Sequence, residues 1–468
     1  MTRYATDRSL RRVGNGRVLI GGSPVKVMTM TAAGSAFVDR IAADDDITPT
    51  RAEHSLIDRL VDSGLMHPTP SPMNPPLAVT VVIPAFDVEQ STLIDLVDAC
   101  RRAGVHEVIV VDDASPTTIL AIPGATTIRH DINRGPGAAR TTGAAQVNTP
   151  LIAFIDTDVV LPEVWTDALV AHFADERVAL VAPRVAAVAG TTVLQRYEAL
   201  HSPLDLGIEP ARVSAGTRIS YVPSAMIIVR ADALRAIGGF EPSMRVGEDV
   251  DLVWRLAEAG HRLRYEPATT VHHRSRPTWA GWARQRMGYG SSAAPLARRH
   301  PGALVPVRVS GWSAAAWSVA VLGWPIAGAT IAAGTTVALA SKLRPVPDGP
   351  KQALRLAGLG NLFAGRALAN ALLRAWWPLA LIGSIGSRRV RRAVAIAAIA
   401  PPLVDWIRNQ PPIDPVRYVA IRFADDLAYG VGVARGVITE RSVSALIPDF
   451  SSWPNRQRPD RPASASAG

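Results

Sequence analysis

The chain has 468 residues, 48% of them hydrophobic, a formal net charge of +10 and a single cysteine, Cys100. That length allows roughly three domains, and one cysteine excludes an internal disulfide, as suits a cytoplasmic catalytic body. A mean hydropathy of +0.14 is high for a wholly soluble protein. Much of the basic excess follows Arg274, beside long apolar stretches, so it points to an anionic membrane face before nucleic acid. No apolar signal segment opens the sequence, which argues against ordinary secretion.

Residues 1–75 read as a small separate domain. RRVGNGRVLIGG and PVKVMTM are β-prone runs broken by glycine and asparagine turns, which predicts a small antiparallel sheet. Thr31 is placed to cap a helix carrying Phe37, Val38 and Ile41, and Thr48 or Thr50 a second carrying Leu56, Leu60 and Val61. Gly64-Leu65 closes that helix, and HPTPSPMNPP (67–76) reads as a stiff linker. Hairpin strands followed by helices and DSGLMHP resemble the PqqD-type winged-helix domain, which implies recognition of a modified peptide. A plain winged helix or a packing module has the same pattern.

From Leu77 strands alternate with helices: AVTVVIPAFD, a helix over 93–102, HEVIVVDDAS, a short strand, then a helix opened by Gly135-Pro136-Gly137. This predicts an α/β domain with a mostly parallel sheet covered on both faces. The glycines fail the dinucleotide fingerprint because Arg140 stands where its third glycine belongs, although a helix N-terminus there favours a diphosphate. LIAFIDTD (151–158) is an apolar run of strand length ending in Asp156 and Asp158. Two carboxylates sharing one face at the end of a buried strand point into the ligand crevice of an open sheet. Hard oxygen ligands in that number suit Mg2+ or Mn2+ held jointly with a substrate's phosphates. The plainer alternative, solvated acids at a strand end, is outweighed only by the motifs on either side.

Further along, GEDVDL (247–252) sets three acids at a helix start, more than capping needs. VHHRSR carries two adjacent histidines, which face opposite ways in a strand. Residues 309–341 contain no charge, whereas a single membrane span needs about 20 residues. With Pro325 and several glycines dividing it, this run predicts a kinked span or a tight hairpin. Shorter apolar runs at 375–387 and 393–404 flank Arg388, Arg389, Arg391 and Arg392 and read as short spans with snorkelling arginines or as interfacial helices. A tail from about Ser451, rich in Pro, Ser, Arg and Ala, predicts disorder.

VVIPAFD, VVDDAS, NRGPGAARTTG and FIDTD, in this order, together resemble a family-2 glycosyltransferase with a GT-A fold; Asp87 and Thr141 depart from residues common in that family. The domains expected are the peptide-recognition module (1–75), the transferase (77–305), membrane-associated apolar helices (306–410) and a C-terminal extension (411–468). The resemblance implies that Pro84, Asp112, Asp113, Arg140, Asp156, Gln285 and Arg286 bind the nucleotide sugar. It implies a divalent metal on Asp156, Asp158 and a histidine, His272 in preference to His273. Asp249 is expected as general base, Glu248 orienting it or the acceptor, with Asp251 in reserve.

The whole arrangement, including YGSSAAPLARRHPG, resembles the mycofactocin-system glycosyltransferase family. That resemblance implies an inverting hexosyltransferase moving glucose from UDP-glucose, as a β-1,4-linked oligosaccharide, onto a peptide-derived redox cofactor precursor, premycofactocin. It also implies a cell-membrane location with the catalytic domain in the cytoplasm and no nucleic-acid partner. One rival is a membrane family-2 enzyme of cell-wall polysaccharide or glycolipid synthesis, which shares the catalytic residues but has no need of a peptide-reading module. Another is a non-catalytic peptide-binding membrane protein, against which the intact acids argue.

Overall fold

The computed structural model describes residues 2–43, 48–188 and 190–450, so the tail from Ser451 lies outside the described residues. The N-terminal module opens with β1 (Thr2–Thr6), followed by an antiparallel sheet of β2 (Arg11–Val13), β3 (Val18–Gly21) and β4 (Lys26–Thr29). Helix α1 (Ala32–Ala42) is capped by Thr31, and α2 (Arg51–Asp62) by a Thr50–Glu53 capping box. Leu19, Phe37, Val38, Leu60 and Leu65 close its core. Residues 66–70, read in part as linker, instead form β5 (Met66–Pro70), antiparallel to β1. Pro68 and Pro70 fall at alternate positions of this two-stranded edge, where missing N–H groups are tolerated.

The central domain follows in chain order: β6 (Val79–Ala85), α3 (Gln90–Arg102), β7 (Glu107–Asp112), β8 (Thr126–Arg129), α4 (Pro136–Ala144), β9 (Leu151–Ile155), β10 (Val159–Val160), α5 (Thr166–Ala171), β11 (Val178–Ala187), α6 (Val193–His201), β12 (Ala211–Arg212), β13 (Met226–Arg230), α7 (Ala231–Ala236), α8 (Glu248–Glu258), β14 (Arg262–His273), α9 (Trp279–Ser291) and α10 (Ala293–Arg299). The sheet runs β10-β14-β11-β13-β9-β6-β7-β8. Alternate residues feed two cores. Val82, Val111 and Phe154 meet α4, α7 and α8 on one face, and Val81, Ile83 and Val110 meet α3 and α5 on the other.

The sheet is mostly parallel, as expected: β6, β7, β8, β9, β11 and β14 run one way, and β13 runs antiparallel to both β9 and β11, as the short β10 and β12 do to β14. The three parallel strands β9, β6 and β7 end on one edge. Antiparallel β13 begins there, with Met226 opposite Ile155. This edge therefore gathers the strand ends that carry acids and the backbone that meets them.

Beyond α10 lies a helical layer: α11 (Gly311–Val321), α12 (Pro325–Lys342), α13 (Gly349–Arg374), α14 (Trp377–Gly386), α15 (Arg388–Asn409) and α16 (Pro415–Glu440). The uncharged run is a helical hairpin, α11 turning at Gly323 into α12. Among the described residues one helix, Gly349–Arg374, is long and apolar enough to cross a membrane. Large apolar side chains lie open on the layer, including Ile326, Phe363, Leu379 and Ile385. Helix α16, in the expected C-terminal extension, packs along α9. A Cβ at Gly290 would collide with the Tyr429 carbonyl, and one at Gly432 with that of Met287.

Candidate active site

A cavity of about 1200 Å³ opens at the strand-end edge, and its lining includes Pro84, Asp113, Arg140, Asp156, Asp158, Glu248, Asp249, His273 and Gln285. Arg140 is its electrostatic centre. The guanidinium is 2% exposed, donates from Nη1 to Glu248 (2.9 Å) and from Nη2 to Asp156 (2.5 Å), and stands over the Phe240 ring. Burial works against its charge, but Asp156 and Glu248 hold its pKa above the ordinary value. One cation thus ties the strand-end acid to the acids of α8.

Glu248 and Asp249 open α8 behind Gly247, whose left-handed φ of 82° suits glycine. Asp249 accepts from Ser224 N (3.2 Å) and from its neighbour Val250 N (2.8 Å). Burial pushes the Asp249 carboxyl up despite those bonds. Burial and the adjacent Asp249 charge push Glu248 up to about 7. A carboxylate raised in this way is a stronger proton acceptor, as a general base requires. Asp251, held in reserve from the sequence, is fully buried away from the cavity. Arg255, Arg299 and His300 surround it at 2.7–2.9 Å, and despite burial these bonds hold its carboxyl below the ordinary value.

The histidine nearest the strand-end acids is His273, not His272. Its Nε2 lies 3.1 Å from Asp158 Oδ2, whereas His272, the residue before it in β14, is exposed on the opposite side. Asp158 Oδ1 is buried without a hydrogen-bond partner. Burial raises the Asp158 carboxyl, but the bond to His273 and nearby Arg276 hold it below the usual range. Asp156 is turned to Arg140, and burial with the Asp158 charge pushes its carboxyl up. The Asp156, Asp158 and His272 set is therefore not assembled. Among the described residues no group of three or more His, Cys, Asp or Glu is arranged around a metal position. The Asp158–His273 pair, with its unpartnered oxygen, suits an ion whose other ligands come from a diphosphate.

One expected nucleotide contact, Asp112, lies away from the cavity. Asp112 is wholly buried and accepts from Ser115 N (2.9 Å) and from Arg129. Although burial opposes its charge, these bonds hold its carboxyl below the ordinary range, so it braces the loop rather than facing the cavity. Asp113 does line the cavity, and it accepts from Arg134 N (2.9 Å) and Gly135 N (2.7 Å) at the entrance to α4. Arg286 is buried between two acids, donating to Asp425 (2.9 Å) and to Glu198. Arg286 nevertheless lines the cavity with its Nη1 unpartnered, beside the half-buried Gln285.

The opposite wall was not anticipated. Arg422, Asp425 and Tyr429 of α16, with Arg374 of α13, line the same cavity. Tyr197 of α6 donates to Asp425 (2.7 Å), fixing α16 to the central domain. The available signal was Arg422, Asp425 and Asp426 grouped together in a largely apolar stretch.

The chain is similar to known glycosyltransferases. The profile of Glycosyl transferase family 2 matches residues 80–238, the segment that builds the acidic edge, and together with the sheet it supports a GT-A glycosyltransferase fold. The pre-mycofactocin glycosyltransferase of Mycobacterium tuberculosis is 41% identical over 463 residues, 95% of this chain and 97% of that protein. The succinoglycan biosynthesis protein ExoO of Rhizobium meliloti is 28% identical over 220 residues, 43% of this chain and 63% of that protein. Among solved structures, a mannosyltransferase from Pyrobaculum calidifontis in complex with GDP-Man and Mn2+ matches at a TM-score of 0.43 and 17% identity, over 78% of this chain and 89% of that one. The extent of the first of these matches places the chain in the pre-mycofactocin glycosyltransferase family, a branch of the family-2 glycosyltransferases.

Proposed function

We propose that this protein transfers glucose from UDP-glucose to the peptide-derived cofactor precursor premycofactocin, with inversion, extending it as a β-1,4-linked oligosaccharide. The observation that carries this reading is the position of Asp249, a half-buried carboxylate of raised basicity, in the cavity that also holds Arg140 and the Asp158–His273 pair. The relative 41% identical over nearly the whole chain supports the choice of acceptor.

In this reading Pro84, Asp113 and Gln285 border the nucleotide sugar, and Asp249 takes the proton of the acceptor hydroxyl as that oxygen attacks the anomeric carbon. Arg140 keeps Asp156 and Glu248 in place around the reacting groups. Asp158 and His273 would hold Mg2+ or Mn2+, which supplies positive charge against the diphosphate leaving group. The N-terminal module would hold the acceptor's peptide-derived part away from the reacting hydroxyl. The apolar helical layer would rest in the cell membrane with the central domain in the cytoplasm. Incubation of the purified full-length protein with UDP-glucose, a divalent metal and premycofactocin should yield a ladder of hexose additions by mass spectrometry. No mass increment with any nucleotide hexose would overturn the reading.

A further inference from the structure

Three tyrosines from separate parts of the chain converge on the Asp249 end of the cavity. Tyr221 comes from the loop before β13, Tyr289 from α9 and Tyr429 from α16, and all three line the cavity. None of their hydroxyls has a hydrogen-bond partner among the described residues. Burial, with the Asp249 charge adding to it, raises the Tyr221 and Tyr289 phenols above the ordinary value, and burial raises Tyr429. The phenols therefore keep their protons and can donate. The three tyrosines are half-buried and their hydroxyls are open to the cavity rather than sealed, so they are available to a guest.

The surroundings narrow what that group is. Arg374 stands 5.1 Å from the Tyr429 ring, and Arg422 and Asp425 continue the polar rim. A flat aromatic guest would cover the rings but leave that rim unmatched. A pyranose ring presents an apolar C–H face to an aromatic surface and hydroxyls around its edge. The cavity, about 1200 Å³, also exceeds the roughly 300–1,000 Å³ of a single small-molecule site, so an acceptor ring has room beside a nucleotide sugar. We infer that Tyr221, Tyr289 and Tyr429 form the acceptor subsite, and that it takes a carbohydrate ring stacked on an aromatic face with its hydroxyls met by the phenols. This rests on Asp249 being the base, since the subsite matters only if it holds a hydroxyl near that carboxylate. It makes α16 part of the binding surface although it lies far outside the segment matched by the family profile.

The backbone explains why α16 can hold a ring so far from its sequence neighbours. Gly290 of α9, and Gly432 and Gly436 of α16, let the two helices meet backbone to backbone. Asp425 is clamped by Tyr197 and Arg286. Tyr429 is one turn further along the same helix, so its position is set by that clamp.

The test uses the full-length protein, with UDP and cellotetraose as probes and 4-nitrophenol as an aromatic competitor. In saturation-transfer NMR the sugar C–H protons should receive magnetisation from tyrosine rings. Tyr429→Ala and Tyr289→Ala should each weaken cellotetraose binding by more than about tenfold while UDP affinity stays unchanged. Tyr429→Phe, which keeps the ring, should weaken it by about two- to tenfold. That variant decides the matter if the alanine change also disturbs UDP binding. Unchanged cellotetraose affinity in the variants, with UDP binding intact, overturns the subsite. So does a response of the tyrosines to 4-nitrophenol alone. A wild-type protein that binds no UDP overturns the transferase reading on which the subsite rests, a result distinguishable from failure of the subsite itself.

Discussion

The sheet-edge wall of the cavity is built from residues close in sequence: Pro84, Asp113, Arg140, Asp156 and Asp158 follow one another on successive parallel strands and the helix between them. The facing helical wall draws Arg374, Arg422, Asp425 and Tyr429 from helices far along the chain, held to α6 and α9 by buried ion pairs and glycine contacts. The first wall follows from strand geometry, since parallel strands must present their ends on one edge. The second exists only once helices have docked, so its chemistry depends on packing. The difference teaches that damage to one wall should be separable from damage to the other.

The largest effect expected is on the sheet edge. Asp158→Ala and His273→Ala should abolish transfer and metal-dependent UDP binding together, whereas His272→Ala should leave both intact. Titration of UDP with and without metal by calorimetry checks this, and a silent His273→Ala would break the assignment. Next comes Asp249→Asn, which preserves shape at the junction of the two walls. Turnover should fall by about 10²–10⁴-fold while UDP still binds, as read by single-turnover kinetics beside calorimetry. Near-normal turnover would hand the role to Glu248, since Asp251 faces elsewhere.

The smallest effect tests the helical wall alone. Gly432→Val forces a side chain onto the Met287 carbonyl, and overpacking of this kind costs about 1–3 kcal/mol. Urea unfolding should show the loss, with UDP affinity preserved because Pro84, Asp113, Asp158 and His273 stand on elements other than α16. Equal loss of UDP affinity would show that the walls are one mechanical unit.

The legibility of the sequence divides along the same line. Apolar runs ending in acids were enough to place Asp113, Asp156 and Asp158, and Thr31 and Thr50 marked helix starts that the structure uses. The choice between His272 and His273 was not readable. Alternation makes them opposite but does not say which side faces Asp158, and that is settled by the short pairing of β14 with β10. Asp112 misled for a related reason, because the loop after it supplies Ser115 and the neighbouring strand β8 supplies Arg129 as partners. Pro68 and Pro70 suggested a linker because strand formation there depends on β1, more than sixty residues earlier. Nothing local in α16 indicated that Tyr429 would reach Asp249's end of the cavity.

The glycine contacts between α9 and α16 bear on when in its own synthesis the protein becomes competent. Domains tend to fold in order as the chain emerges, and the sheet-edge residues are all present once α9 is made. The cavity stays open on one side until residues 415–440 arrive and seat on Gly290. A nascent or C-terminally clipped chain would thus carry the acids and Arg140 while lacking the surface that confines what they act on. Completion of the last helix then serves as a checkpoint, linking activity to an intact C-terminal half.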